Sequence, residues 1–397
     1  MYSKPAAPQP QPQRQFYLDW LRIIAFAILI PYHVGMYYVS WDWHIKSPFV
    51  LPEVEPWMRL FSPWRMDLLF LVSGAATAHL LRSRGAGTEV LRQRGSRLLW
   101  PLVFGVLVIV PPQSYLEVVR RFAYPGSYLE FMQLYLRAYA GFCGPDGRCL
   151  ILPTWNHLWY LPYLFFYTTL LWLLSAVLRD RFDRLTKTIN QRVGVVSILA
   201  LPIGFLILTL LLLRPQYPIT HALLDDWFAH SQYFAMFMFG AVLARTQRLA
   251  ELAENLRWTT LLIAWMAWVL LVTGSAESVI GRAGSSRLAA ILVSMQQWCA
   301  VLAALGFGRR LLDIDSPARV YLTEAVFPLY IVHQTLIIVF AKSLSTWAIT
   351  PVLEFALLIA LSCAASLACF ELVRRVSGLR TIFGLKSARR TGSMITS

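Results

Sequence analysis

The stretch Tyr17–Tyr38, YLDWLRIIAFAILIPYHVGMYY, limits what this chain can become. It opens with Asp19 and Arg22, three residues apart and so on one face of a helix. The mostly apolar run that follows is long enough to cross a bilayer core of about 30 Å at 1.5 Å per residue. His33 sits 14 residues after Asp19, roughly 21 Å along a helix and about two thirds of the hydrocarbon thickness. A titratable ring at that depth is costly and reads as functional. The plainer alternative is an imidazole that only hydrogen-bonds a neighbouring helix.

Similar runs recur along the chain. Of its 397 residues 57% are hydrophobic and 14% charged, against about 25% charged in soluble domains. That excludes a soluble globule and predicts an all-α, polytopic bundle whose first partner is the lipid bilayer. Ten spans are expected, near 18–38, 57–81, 97–112, 155–178, 194–213, 229–246, 257–274, 286–307, 320–341 and 351–373. With the N-terminus in the cytoplasm, 25 of the 36 Lys and Arg residues fall on inside segments or at the inner ends of spans, the bias expected of a plasma-membrane protein with both termini inside. The net charge of +15 is then topological and implies no nucleic acid. Residues 1–15, rich in Pro and Gln, read as a disordered cytoplasmic tail, 16–375 as the membrane domain and 376–397 as a basic cytoplasmic tail. The first run lacks a small-residue cleavage site and reads as a retained span rather than a signal peptide.

Cys143 and Cys149 flank a Gly/Pro/Asp turn in the large outer segment 113–154. They are either a small-loop disulfide in an oxidising periplasm or two free thiols. No Cys/His grouping has metal-ligand spacing, so no metal is expected. Neither a phosphate-binding Gly-rich loop nor a clear internal repeat is present.

Three histidines from separate spans are expected at one depth: His33, His157 at the start of the fourth span, and His333, 14 residues after Arg319. A neutral imidazole is the usual general base near neutral pH. The second span carries Arg65 and Asp67. Asp67 either orients an imidazolium, as in a His–Asp pair, or neutralises Arg65, although an i,i+2 pair faces poorly. Ser73-Gly74 follow, small enough for close helix packing. On the inner side Arg92, Arg94 and Arg97 precede the third span, and guanidinium forks suit a polyphosphate as well as they suit membrane anchoring.

The segments LDWLRIIAF…YHV, MDLLFLVSGA, RQRGSRLLWP, HLWYLPYLFFY and EAVFPLYIVHQTLII occur in an order that resembles the acyltransferase-3 family of membrane O-acyltransferases, nearest its glucan-biosynthesis succinyltransferase branch. The resemblance runs over about residues 16–375. It implies ten helices, a cytoplasmic acyl-CoA donor (acetyl-CoA or succinyl-CoA) and a carbohydrate hydroxyl as acceptor on the periplasmic side of the bacterial inner membrane. It puts the catalytic histidine on His33, the first-span arginine on Arg22, the basic motif on Arg94 and Arg97, the Ser-Gly on Ser73 and Gly74, and the late histidine on His333. In this reading Arg22, Arg92, Arg94 and Arg97 hold the donor. Asp67 or Arg65 tunes His33 or an oxyanion, and His157, Trp159, His333 and Ser73 line the acceptor cleft. His33 is a base or an acyl carrier, and association with a second copy of the chain stays open. The rival reading is a proton-coupled transporter or flippase of a glycan or lipid-linked substrate, in which the buried His and Asp relay protons.

Overall fold

The computed structural model describes residues 15–85, 87–145, 147, 149–347 and 349–386, with the backbone alone for 275–286. The tail expected over 1–15 lies outside the described residues but for Gln15, as do 387–397 of the basic tail. The described residues form helices and loops without a named strand; Cys143 and Cys149 face each other in an isolated antiparallel bridge and are also joined by a disulfide.

The apolar run becomes α1 (Phe16–Tyr38). A loop and the short α2 (Glu55–Phe61) lead to α3 (Arg65–Arg84). Next come α4 (Thr88–Phe104), a π-helical stretch Gly105–Ile109, α5 (Pro111–Phe122) and α6 (Tyr128–Leu136). A 3₁₀ turn Asn156–Trp159 opens α7 (Tyr160–Val177), followed by the polar α8 (Arg179–Arg192), α9 (Val195–Leu212) and α10 (Trp227–Leu243). The chain closes with α11 (Gln247–Val272), α12 (Ser275–Leu311), α13 (Pro317–Leu344), α14 (Pro351–Arg375) and α15 (Ser377–Ile382).

Among the described residues seven helical segments are long and apolar enough to cross a membrane, or eight if the pair Thr88–Ile109 and Pro111–Phe122, bent by 42°, is one span. Each of the ten expected spans overlaps a helix or a broken helix pair, but α3 and α10 do not pass on length and apolarity alone. Their stability comes from each other. A methyl group added at Gly74 would lie 1.8 Å from the Phe237 carbonyl oxygen, and one at Gly240 would lie 1.8 Å from that of Leu71. Only glycine lets the two backbones approach so closely.

The third span differs from its expected end at Pro111-Pro112. Proline lacks an amide donor but fits the first turn of a helix. The prolines therefore redirect the chain into α5 instead of ending it. Residues after α14 fold back on the bundle. Arg380 pairs with Glu324 at 2.9 Å, and buried Phe383 meets Phe104 at 5.3 Å between ring centroids. The helix that carries His333, α13, packs between α1 and α14, and α1 also contacts α3.

Candidate active site

The site is built where α1 and α13 run side by side. His33 lies two residues past Pro31 in α1, and His333 five residues past Pro328 in α13. The end of α1 is held by Lys46, whose ammonium donates to the carbonyls of Met36 (2.7 Å), Val39 and Trp41 (2.8 Å). A cation there satisfies carbonyls that a helix terminus leaves unpaired. Burial, with nearby Arg120, lowers the Lys46 pKa to about 8.

The hydrogen bonds fix the tautomers of the ring pair. His333 Nδ1 is 2.6 Å from the Tyr330 carbonyl oxygen, which can only accept. Nδ1 therefore carries the proton, and Nε2 of the neutral ring accepts. Nε2 is 3.0 Å from His33 Nδ1, so His33 donates there. The second nitrogen of His33, Nε2, has no hydrogen-bond partner among the described residues and carries the lone pair. His33 is half-buried whereas His333 is 1% exposed. Trp43 lies parallel to the His33 ring at 6.5 Å.

His157 joins the cluster, with its ring centroid 5.2 Å from that of His333. Both of its nitrogens are occupied. Nε2 donates to the Ile331 carbonyl at 3.0 Å, and Nδ1 accepts from Gln113 at 3.4 Å. It braces α7 against α13. Around it runs a network of neutral amides. Gln113 Oε1 accepts from Asn156 (3.1 Å) and Gln334 (3.0 Å), and Gln334 also donates to His44 Nε2 at 3.0 Å. His44 Nδ1 then donates to Glu117 at 2.5 Å, and Glu117 pairs with Arg121 at 3.0 Å. Sequence reasoning missed this network. The one available signal is the i,i+4 row Gln113, Glu117, Arg121 on a segment rich in apolar residues.

The charges of the second span separate. The Arg65 guanidinium lies over the Tyr32 ring, 3.2 Å from its centroid, and Nε and Nη1 have no partner among the described residues. The guanidinium is within electrostatic reach of both His33 and His221. Asp67 is fully buried, and Gln297 donates to its Oδ2 at 2.6 Å. Trp159 stacks on His221 at 4.0 Å and touches Tyr233, in an aromatic group beside the histidines rather than among them. The His221 loop contains three non-glycine residues at positive φ, His221, Leu223 and Asp225. Buried Asp226 holds that loop by accepting from the amides of Thr220 and His221.

A chain of polar contacts lies between the histidines and the Asp19 end of α1. Ser73 Oγ is 2.6 Å from the Tyr160 hydroxyl, and Thr77 donates to the Ser73 carbonyl at 2.7 Å. Arg94 Nη2 donates to Thr77 at 3.2 Å. Arg22 and Arg97 stand within electrostatic reach of Arg94, which makes a cationic cluster of three. Arg92 is apart, in an exposed ion pair with Glu89. Rings cover the remaining interval: Tyr160 meets Tyr330 at 6.1 Å, and Phe26 meets Tyr330 at 5.3 Å. Such a site can hold an anion at one end and present a neutral base at the other. Among the described residues no group of three His, Cys, Asp or Glu side chains is arranged to hold a metal ion.

No solved structure matches the chain. It is 23% identical to glucans biosynthesis protein C of Escherichia coli O81 (strain ED1a) and of Shigella dysenteriae serotype 1 (strain Sd197), over 94% of this chain and 95% of each relative. The same identity and coverage hold for the protein of that name in Escherichia coli K12 / DH10B. The profile of the acyltransferase-3 family, described as an acyltransferase domain, matches residues 15–371. An α-helical membrane bundle with a clustered set of histidines, matched over nearly its whole length, thus belongs to the acyltransferase-3 family.

Proposed function

We propose that this membrane acyltransferase is an O-acyltransferase of the bacterial inner membrane. It moves an acetyl or succinyl group from cytoplasmic acyl-CoA to a carbohydrate hydroxyl on the periplasmic side. The observation that carries the reading is the His33–His333 pair, whose hydrogen bonds leave His33 Nε2 as an unprotonated base beside Arg65, whose Nε and Nη1 have no partner among the described residues. The name of the relatives, glucans biosynthesis protein C, supports a glucan as the acceptor class.

Ten spans with both termini inside would put Arg22, Arg94 and Arg97 at the cytoplasmic end, where they would bind the phosphates of the donor. Arg92 would stay at the rim of that site. His33 would then face the acceptor. As the acceptor oxygen attacks the thioester carbonyl carbon, His33 Nε2 takes its proton. The C–O bond forms, the C–S bond breaks, and the departing CoA thiolate takes the proton back from the imidazolium. His333 Nε2 steadies that imidazolium by accepting from His33 Nδ1–H, and the unpaired Arg65 donors face the developing oxyanion. His157 and Asp67 would act by holding neighbouring groups in place, and Ser73, Tyr160 and Trp159 would line the way to the base.

The test uses the protein in lipid nanodiscs with radiolabelled acetyl-CoA or succinyl-CoA and a glucan acceptor. Wild type gives acceptor-dependent CoA release, and His33→Ala lowers it by about 10²- to 10⁴-fold, the usual worth of a general base. Wild-type turnover by His33→Ala at equal expression would refute the assignment. CoA release without acceptor would make His33 a carrier of the acyl group.

A further inference from the structure

Two polar contacts join α1 and α13, with an apolar gap between them. At one end Arg319 Nη1 donates to Asp19 Oδ2 at 2.5 Å. At the other, His33 Nδ1 meets His333 Nε2 at 3.0 Å. Both contacts link residues 300 positions apart, so the same 14 residues separate them on each helix. Fourteen residues make about 21 Å and nearly four turns of helix. The two parallel helices are therefore in register at both ends.

The packing between those ends is incomplete. Ile23, Phe26, Ala27, Leu322, Ala325 and Leu329 help to line a cavity of about 90 Å³. A gap of that kind weakens the interlocking of side chains that resists sliding, which is left there to contacts such as Phe26 on Tyr330 at 5.3 Å. Pro31 and Pro328 each take one backbone hydrogen bond from the interval between ion pair and histidine. A slip of one residue moves a side chain about 1.5 Å along the axis and about 100° around it. That would carry His33 off its partner. Arg319 is 2% exposed, with Asp315 as a second carboxylate partner at 2.6 Å and the Phe16 ring under its guanidinium at 4.7 Å.

We propose that Arg319 is a positioning residue: its ion pair with Asp19 sets the register of α1 on α13 and so places His33 Nδ1 on His333 Nε2. The role in turnover rests on the acyl-transfer reading, while the placement itself does not. Two readouts separate them in nanodisc-embedded full-length protein. The first is steady-state transfer from radiolabelled acetyl-CoA or succinyl-CoA. The second is ¹⁵N NMR of histidine-labelled protein, assigned by subtracting the His33→Asn spectrum, which reads the His33 tautomer without turnover. Arg319→Gln should abolish the Nδ1-protonated His33 signal. It should lower kcat by about 10- to 100-fold, as a catalytic group misplaced by an ångström does, with the donor KM within about twofold. Arg319→Lys keeps the ion pair and should restore both. If Arg319→Gln does not fold, Asp19→Asn, which leaves Arg319 on Asp315, carries the same expectation for the tautomer and kcat, though not for KM, because Asp19 also pairs with Arg22 at 3.7 Å.

An unchanged His33 tautomer overturns the proposal. So does a raised KM at constant kcat, which would put Arg319 in donor binding. Less folded protein with full kcat per folded molecule would make the pair merely structural, and overturns it too. If wild type transfers no acyl group the reaction is wrong, and the tautomer still decides whether the ion pair sets the register.

Discussion

His333→Ala is the sharpest perturbation of the proposed base. The side chain accepts one hydrogen bond from His33, at 3.0 Å, and its own orientation comes from the Tyr330 carbonyl at 2.6 Å. While His33 is neutral the bond is worth about 1 kcal/mol net, and about 1.5–3 kcal/mol once His33 is an imidazolium. Only the difference, roughly 1–1.5 kcal/mol, accelerates the chemical step, because only interactions that strengthen in the transition state do so. That corresponds to about a tenfold fall in kcat. Loss of the preferred tautomer and tilt of the ring would extend the fall toward about 100-fold. His33→Ala removes the base and should cost about 10²- to 10⁴-fold. The double variant should be no slower than His33→Ala alone, since His333 acts through His33. The assay is single-turnover acyl transfer in nanodiscs, at saturating labelled donor and equal folded protein. Unchanged kcat in His333→Ala would refute the argument. So would a double variant whose losses multiply, because that would give His333 a role independent of His33.

The cationic cluster and the His221 loop give two further expectations. Arg94→Ala should raise the donor KM by about 10- to 100-fold, the worth of a charge-assisted contact, whereas Arg92→Ala, already in an exposed pair with Glu89, should change it by less than about threefold. Isothermal titration with CoA checks both, and equal effects would dissolve the cluster of three. Burial, with Arg65 adding to it and Asp226 opposing it, lowers the His221 pKa from 6.5 to about 4. Below pH 6.5 the unfolded chain takes up a proton that the folded site refuses, so stability should fall as pH drops from about 6.5 toward 4. His221→Phe, which keeps a ring on Trp159, should flatten that part of a thermal-stability profile. An unchanged slope would remove His221 as its source.

What the sequence made legible was decided by local chemistry. Apolar length marks α1, α7, α9 and α14 directly, and a count of 14 residues from Asp19 and from Arg319 puts His33 and His333 at one depth, where they meet. The i,i+2 spacing of Arg65 and Asp67 sends them to different faces, and they go to Tyr32 and Gln297. That Gln297 lies 230 positions from Asp67 is a fact of topology, with no trace in either segment alone. The same holds for Gln334 on His44, which depends on how the loop after α1 returns. Trp159 was legible as an aromatic near the histidines but not as the partner of His221, since a left-handed residue in a distant loop sets that stack.

The separation of charge around the histidines follows from what a base in an apolar bundle requires. A carboxylate set against His33 would favour the imidazolium and consume the lone pair that the proposed reaction uses. The groups that contact the histidine cluster are instead mostly neutral: the carbonyls of Tyr330 and Ile331 and the amide of Gln113. The full charge of Glu117 stands one step back and is engaged elsewhere, by His44 and Arg121. Arg65 is the exception, a cation near His33 whose Nε and Nη1 have no partner among the described residues. It becomes useful when negative charge develops on the substrate, since it can then donate to an oxyanion. Neutral contacts at His33 and a nearby cation with spare donors suit a base that must start unprotonated and work against a forming anion.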